Sequence, residues 1–326
     1  MTAEHPVAVL GECVADAFVA PRGARAPRPD AEAAAPLTLD VHPGGGPANT
    51  AVALARLGTP TRFLGRLSHD VFGQLFTDHL TGSGVDLDRA VRAAEPSTLA
   101  VADLAEDGSA DYSFHASRTA DWQWSDEELA AASDGPVACL HTGSLALVQQ
   151  PGAAALERLL ARVRHRTTVS VDPNVRPLLV EPAVYREALP RWCALADILR
   201  LSDDDLAQLR PGATPTDAAD AFHAEGTPLV VVTLGKDGVL ASLNGTRVSV
   251  TAPAARVVDT VGAGDSFMAG FLHSLHTAGA LGGRLDRLTR EQVAEALTFG
   301  TRVAAAVVAV RGANPPWAAD LAATEM

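Results

Sequence analysis

Short apolar runs alternating with residues at helical spacing constrain the fold of this chain more than any other feature. The runs Val7 to Leu10, Val137 to His141, Thr168 to Val171, Ile198 to Leu201 and Leu229 to Thr233 each read as a buried strand. Between them, Leu156, Leu159 and Leu160 recur at the three-and-four spacing of one helix face. Such alternation forms right-handed βαβ units, so an α/β protein with a mainly parallel sheet covered on both faces is expected. Ligands of open α/β sheets bind beyond the carboxyl ends of the strands, and that edge is where site residues are sought.

The stretch richest in chemistry lies late in the chain, at Asp259-Thr260-Val261-Gly262-Ala263-Gly264-Asp265-Ser266-Phe267. After Gly264, Phe267, Met268, Phe271, Leu272 and Leu275 fall on one helical face, so a helix starts at the glycines. Gly262 and Gly264 let a ligand approach the backbone, and the first amides of a helix lack intrahelical partners. Together they make an anion pocket. Asp265 sits in the same first turn, where the helix dipole favours an ionised carboxylate. A carboxylate that takes a hydroxyl proton, beside amides that hold phosphate oxygens, is the pairing phosphoryl transfer needs. A bulky residue at Gly264 is therefore expected to cost activity more than stability. The plainer alternative is a glycine loop leading into a buried helix, with Asp265 as its cap.

A second glycine-rich element, Gly44-Gly45-Gly46-Pro47-Ala48-Asn49, precedes a helix through Val52, Leu54 and Leu57, with Pro47 in its first turn. Asn49 carries both a donor and an acceptor suited to a polyol. Val7 to Leu10 ends at Gly11-Glu12 and delivers Asp16 a few residues beyond the strand end. Residues 20–36, rich in Pro, Ala and Arg, read as a loop. Thr98 to Leu104 and Tyr112 to His115 read as a hairpin around Glu106-Asp107-Gly108, forming a small sheet with Leu37 to Val41. Ser125 and Glu128 form a capping box, and Trp122 and Trp124 read as packing.

Three further runs follow predicted strands. Asp172-Pro173-Asn174-Val175-Arg176 brings Asn174 to the nucleotide side and the Arg176 cation toward phosphates or sugar. Ser202-Asp203-Asp204-Asp205 gathers carboxylates, of which Asp205 serves either a magnesium-bound water or a helix cap. Thr233-Leu234-Gly235-Lys236-Asp237-Gly238 suits the passage of a nucleotide, through Thr233, Gly235 and Gly238, or is simply a hairpin turn. His273 and His276 lie three apart on the late helix without an acidic third ligand and read as surface coincidence.

Composition excludes several classes. Lys and Arg total 26 against 39 Asp and Glu, a formal charge of −13, so no basic footprint for nucleic acid is present. No stretch reads as a secretory leader or a membrane span, and a cytoplasmic protein is expected. Three scattered cysteines exclude a disulfide framework or a structural zinc site.

With both glycine elements in order, the chain resembles the ribokinase-like, phosphofructokinase-B-type carbohydrate kinase family from Gly11 to about Pro316. The resemblance implies one αβα domain over residues 1–326, doubly wound, with a small β lid from segments near 12–41 and 96–120. It also implies ATP and Mg2+, in many members a monovalent cation such as K+ near Asp259, and sugar as acceptor. By the same resemblance Asp265 is the general base and Gly262, Ala263 and Gly264 the anion hole. Asp16, Gly44, Gly45, Asn49 and Arg176 then hold the sugar. A homodimer through the lid is compatible with the resemblance but has no decisive mark in the sequence.

His141-Thr142-Gly143-Ser144, the Asp172 to Arg176 run and Gly312-Ala313-Asn314-Pro315-Pro316 look most like bacterial fructokinases. Two departures stand out. Asp205 replaces a common Glu, and Phe114-His115-Ala116 replaces Phe-Tyr-Arg, with Arg118 two residues on. Phosphorylation of 2-keto-3-deoxygluconate, ribose or a nucleoside on the same scaffold remains open, as does a sugar sensor without chemistry. Ala116 disfavours the acidic sugar, since it cannot pair with a carboxylate. A nicotinamide dehydrogenase is disfavoured because the late turn lacks the third glycine of that fingerprint.

Overall fold

The computed structural model describes residues 5–20, 37–104 and 110–323. The loop read across 20–36, from residue 21 on, and the Glu106-Asp107-Gly108 turn lie outside the described residues.

The apolar runs form one eight-stranded sheet. Its order across the sheet is Thr246–Val250, Val239–Leu243, Leu229–Thr233, Ile198–Ser202, Thr168–Asp172, Cys139–Gly143, Val7–Leu10 and Thr61–Leu64. The last six are mutually parallel, and the first two add an antiparallel edge. Strand alternation sorts the side chains between two cores. Val7 and Val9 enter one cluster, with Leu54, Phe271 and Leu297, whereas Ala8 and Leu10 enter the other, with Leu156, Trp192 and Phe222. The result is helix, sheet and helix in three layers, the ribokinase-like architecture.

Val7–Leu10 pairs with Cys139–Gly143 on one side and Thr61–Leu64 on the other, so successive connections leave it in opposite directions. A crevice opens at the carboxyl ends of such a switch point. Over it stands a four-stranded sheet in the order Leu39–Gly44, Val14–Val19, Thr98–Leu104 and Ala110–His115.

The expected hairpin is the antiparallel pair formed by the last two of these strands. Val14–Val19 falls in the lid segment near 12–41 that the resemblance implies, but its residues do not announce a strand. Asp16 lies beyond the end of Val7–Leu10, as expected, but at the middle of this second strand, opposite His42 and Ala100. Its run, Val-Ala-Asp-Ala-Phe-Val, hides the strand period because Ala and Asp occupy the positions where strand formers would announce it.

The Ser125–Glu128 capping box is present, and Trp122 and Trp124 are buried. His273 shares a hydrogen bond with Thr59, and His276 bonds the His5 carbonyl, so both have protein partners. Among the described residues no group of three ligands suits a metal, and no helix is long and apolar enough to cross a membrane.

Candidate active site

Two helices, Gly46–Arg56 and Ala263–Thr277, bring their N-terminal turns together at the crevice. Gly262 caps the second with a left-handed backbone (φ 75°), a conformation that favours glycine. Asn49 Nδ2 on the first helix donates to Asp265 Oδ2 on the second at 2.9 Å. The preceding glycines carry the chain against acidic groups where side chains would not fit. A Cβ on Gly44 would stand 2.0 Å from Asp16 Oδ2. On Gly46 it would stand 2.8 Å from Asn174 Nδ2 and 3.2 Å from Asp265 Oδ1. Asp16, Asn49, Asn174 and Asp265 therefore surround one small volume of backbone.

Burial pushes the Asp265 carboxyl above its ordinary range, opposed by the Asn49 hydrogen bond and by the Arg176 and Arg200 cations. Asp16 is raised to about 6 by burial, with Arg176 and His42 pulling it down. Arg176 is exposed and faces Glu12, Asp16 and Asp265 electrostatically.

Arg200 escaped sequence reading. It is 4% exposed, on the strand Ile198–Ser202. Its Nη1 donates to Asp172 Oδ2 at 2.8 Å and its Nη2 to Thr233 Oγ1 at 2.7 Å. A Cβ on Gly264 would lie 2.9 Å from both nitrogens. A side chain at Gly264 thus strikes a buried ion pair, so a cost in stability stands beside the expected cost in activity. The available signal was a lone Arg within an apolar run, since parallel strands buried on both faces seldom carry an unpaired charge.

A pfkB family carbohydrate kinase profile matches residues 5–320. The chain belongs to that family. The fructokinase of Rhizobium leguminosarum bv. trifolii is 34% identical over 253 residues, covering 77% of this chain and 74% of that protein. Among solved structures, the Xylella fastidiosa fructokinase with bound ATP aligns with a TM-score of 0.82 at 25% identity, covering 98% of each chain. The Vibrio cholerae O395 fructokinase bound to fructose, ADP and calcium aligns at 0.80 and 25%, covering 98% of this chain and 99% of that one.

The remaining residues of this carbohydrate kinase fall in three places. Asp205 forms a capping box with Ser202: its Oδ2 accepts from the Ser202 amide and hydroxyl at 3.0 and 2.6 Å, its Oδ1 from the Val175 amide at 2.7 Å. It ties the Asp172–Arg176 loop to the acidic run. Asp259 accepts from the amides of Val261 and Gly312 at 3.0 and 2.8 Å, which holds its carboxyl below the usual range against burial. Gly235 and Gly238 flank the turn after Thr233. Gly235 has open space around it, whereas a Cβ on Gly238 would meet the Val250 carbonyl at 2.1 Å, and its φ of 101° also favours glycine.

Proposed function

We propose that this carbohydrate kinase transfers the γ-phosphate of ATP, with Mg2+, to a primary hydroxyl of fructose. The observation that carries the reading is the Asp265 carboxyl, set in the first turn of its helix, with Asn49 on one oxygen and the Gly46 backbone beside the other. Asp265 takes the proton of the attacking hydroxyl, and the amides at Gly262, Ala263 and Gly264 stabilise charge spreading over the phosphoryl oxygens. Asp16, Gly44, Gly45, Asn49 and Arg176 hold the sugar. Thr233, Gly235, Gly238 and Asn174 line the nucleotide side. The four-stranded sheet acts as a lid within a single domain and excludes water on closing. Similarity to fructokinases in sequence and fold supports fructose as acceptor.

Magnesium, when bound, neutralises charge on the nucleotide phosphates. Asp205 fits such an ion through water only: Oδ2 already takes two hydrogen bonds, while Oδ1 takes one and keeps a lone pair. Asp259 keeps lone pairs beyond its two amide bonds, which fits a weakly held K+.

The test is ADP release from magnesium-ATP with fructose, ribose, 2-keto-3-deoxygluconate or adenosine, with and without potassium and after chelation of the metal. Selective turnover of fructose supports the proposal. Turnover of another acceptor keeps the chemistry and reassigns the sugar, and no turnover with any acceptor overturns the reading in favour of a sensor.

A further inference from the structure

Resting on that kinase reading, we propose that Arg200 is a positioning residue, a buried fork that bonds Asp172 and Thr233 at once and so fixes the glycine turn that receives the phosphoryl group.

Arg200 has the sheet on either side and is almost wholly removed from water, a placement tolerated only with good pairing. Its two arms leave in different directions, one to the carboxyl end of Thr168–Asp172 and the other to that of Leu229–Thr233. Above the fork lies Gly264, with no room for a Cβ, and the Phe267 ring centroid is 5.9 Å from the guanidinium carbon. One planar side chain therefore sets the spacing of two loop origins and the first turn of the Asp265 helix. A lysine ammonium supplies the charge without the planar fork that fits two directions at once.

The same cation also faces Asp265. The groups around that carboxyl are Asn49, Arg176, Arg200 and Asp172, with Asp205 acting in turn on Asp172 and Arg200. Arg176 is exposed and solvent-screened, whereas Arg200 is not. Loss of Arg200 removes the better-insulated of the two favourable charges.

The test compares Arg200→Lys, Arg200→Met and the double variant D172N/R200M, which leaves no unpaired buried carboxylate at 172 if the single Met variant does not fold. Titration of the Asp265 carboxyl by 13C NMR needs no substrate and so stands apart from the identity of the acceptor. Kinetics use whichever acceptor the wild type turns over. Arg200→Lys is expected to keep the Asp265 titration near that of wild type while kcat falls about 10- to 100-fold with little change in sugar KM, because the turn is misplaced but the charge remains. Arg200→Met is expected to raise the Asp265 midpoint, and with it the acid limb of kcat/KM, and the double variant to raise it less because the repelling Asp172 charge goes too. A folded Lys variant with wild-type kcat would overturn the positioning role. So would a loss of activity in which sugar KM rises and kcat does not fall. An unmoved Asp265 titration in a folded Arg200→Met variant would overturn the electrostatic part. Absence of turnover in the wild type would instead sink the kinase reading and leave the titration to judge Arg200.

Discussion

Asn49 and Asp265 meet at 2.9 Å although 216 positions separate them in the chain. The bond joins the first turns of two helices and fixes one carboxylate oxygen. The other oxygen is left beside the Gly46 backbone and the Asn174 amide, without a hydrogen bond to Asn49. Geometry thus separates the holding of Asp265 from its use.

Asp265→Asn tests that use directly. An amide cannot accept the hydroxyl proton, so turnover is expected to fall by roughly 10²- to 10⁴-fold. Sugar affinity, measured calorimetrically, is expected to survive because the amide keeps a hydrogen-bonding oxygen. Turnover near that of wild type would remove Asp265 from the role of base.

Gly46→Ala separates activity from packing. Its Cβ would press on Asn174 Nδ2 and Asp265 Oδ1, both side-chain tips able to give way. Catalysis depends on their placement, so kcat is expected to drop by about 10-fold or more while the melting temperature changes little. A large melting shift with kinetics intact would reverse that assignment.

Gly264→Ala should behave differently. The atoms it meets belong to Arg200, already anchored on both arms and unable to retreat without breaking a buried pair. Overpacking of this kind costs about 1–3 kcal/mol, so both the denaturation midpoint and turnover are expected to fall. A midpoint equal to wild type would show that Arg200 has room the geometry denies.

What the sequence made legible and what it hid have physical reasons. The parallel strands were legible because burial on both faces leaves uninterrupted apolar runs, as in Leu229–Thr233. The Ala263–Thr277 helix was legible because its core face repeats at helical spacing and glycine marks its start. Asp205 as a helix cap was half-legible, since Ser at the cap and an acid three residues on have a local signature. Its bond to the Val175 amide was not, because nothing local encodes a contact between two loops. Arg200 and the strand Val14–Val19 were hidden for the same reason: the partners that make them favourable, Asp172, Thr233 and Thr98–Leu104, lie elsewhere in the chain.

Glu12 supplies a prediction about pH and stability. It is 2% exposed at the switch point, its Oε2 has no hydrogen-bond partner among the described residues, and burial lifts its carboxyl from 4.5 to about 7 against a hydrogen bond with Ser144 and the Arg176 charge. A raised carboxyl pKa means the folded protein binds the proton more tightly than the unfolded chain does. Below about 4.5 both states are protonated and Glu12 carries no ionisation penalty. As pH rises the unfolded chain ionises first, and the penalty grows until it is complete above about 7. Glu12→Gln imitates the protonated form at every pH. Its advantage over wild type is therefore expected to be small near the lower limit and to reach on the order of 3 kcal/mol in the alkaline range. Urea unfolding of both proteins between about pH 5 and 8 reads this as two stability curves that diverge with pH, and parallel curves would mean that Glu12 reaches solvent or a cation in the folded protein.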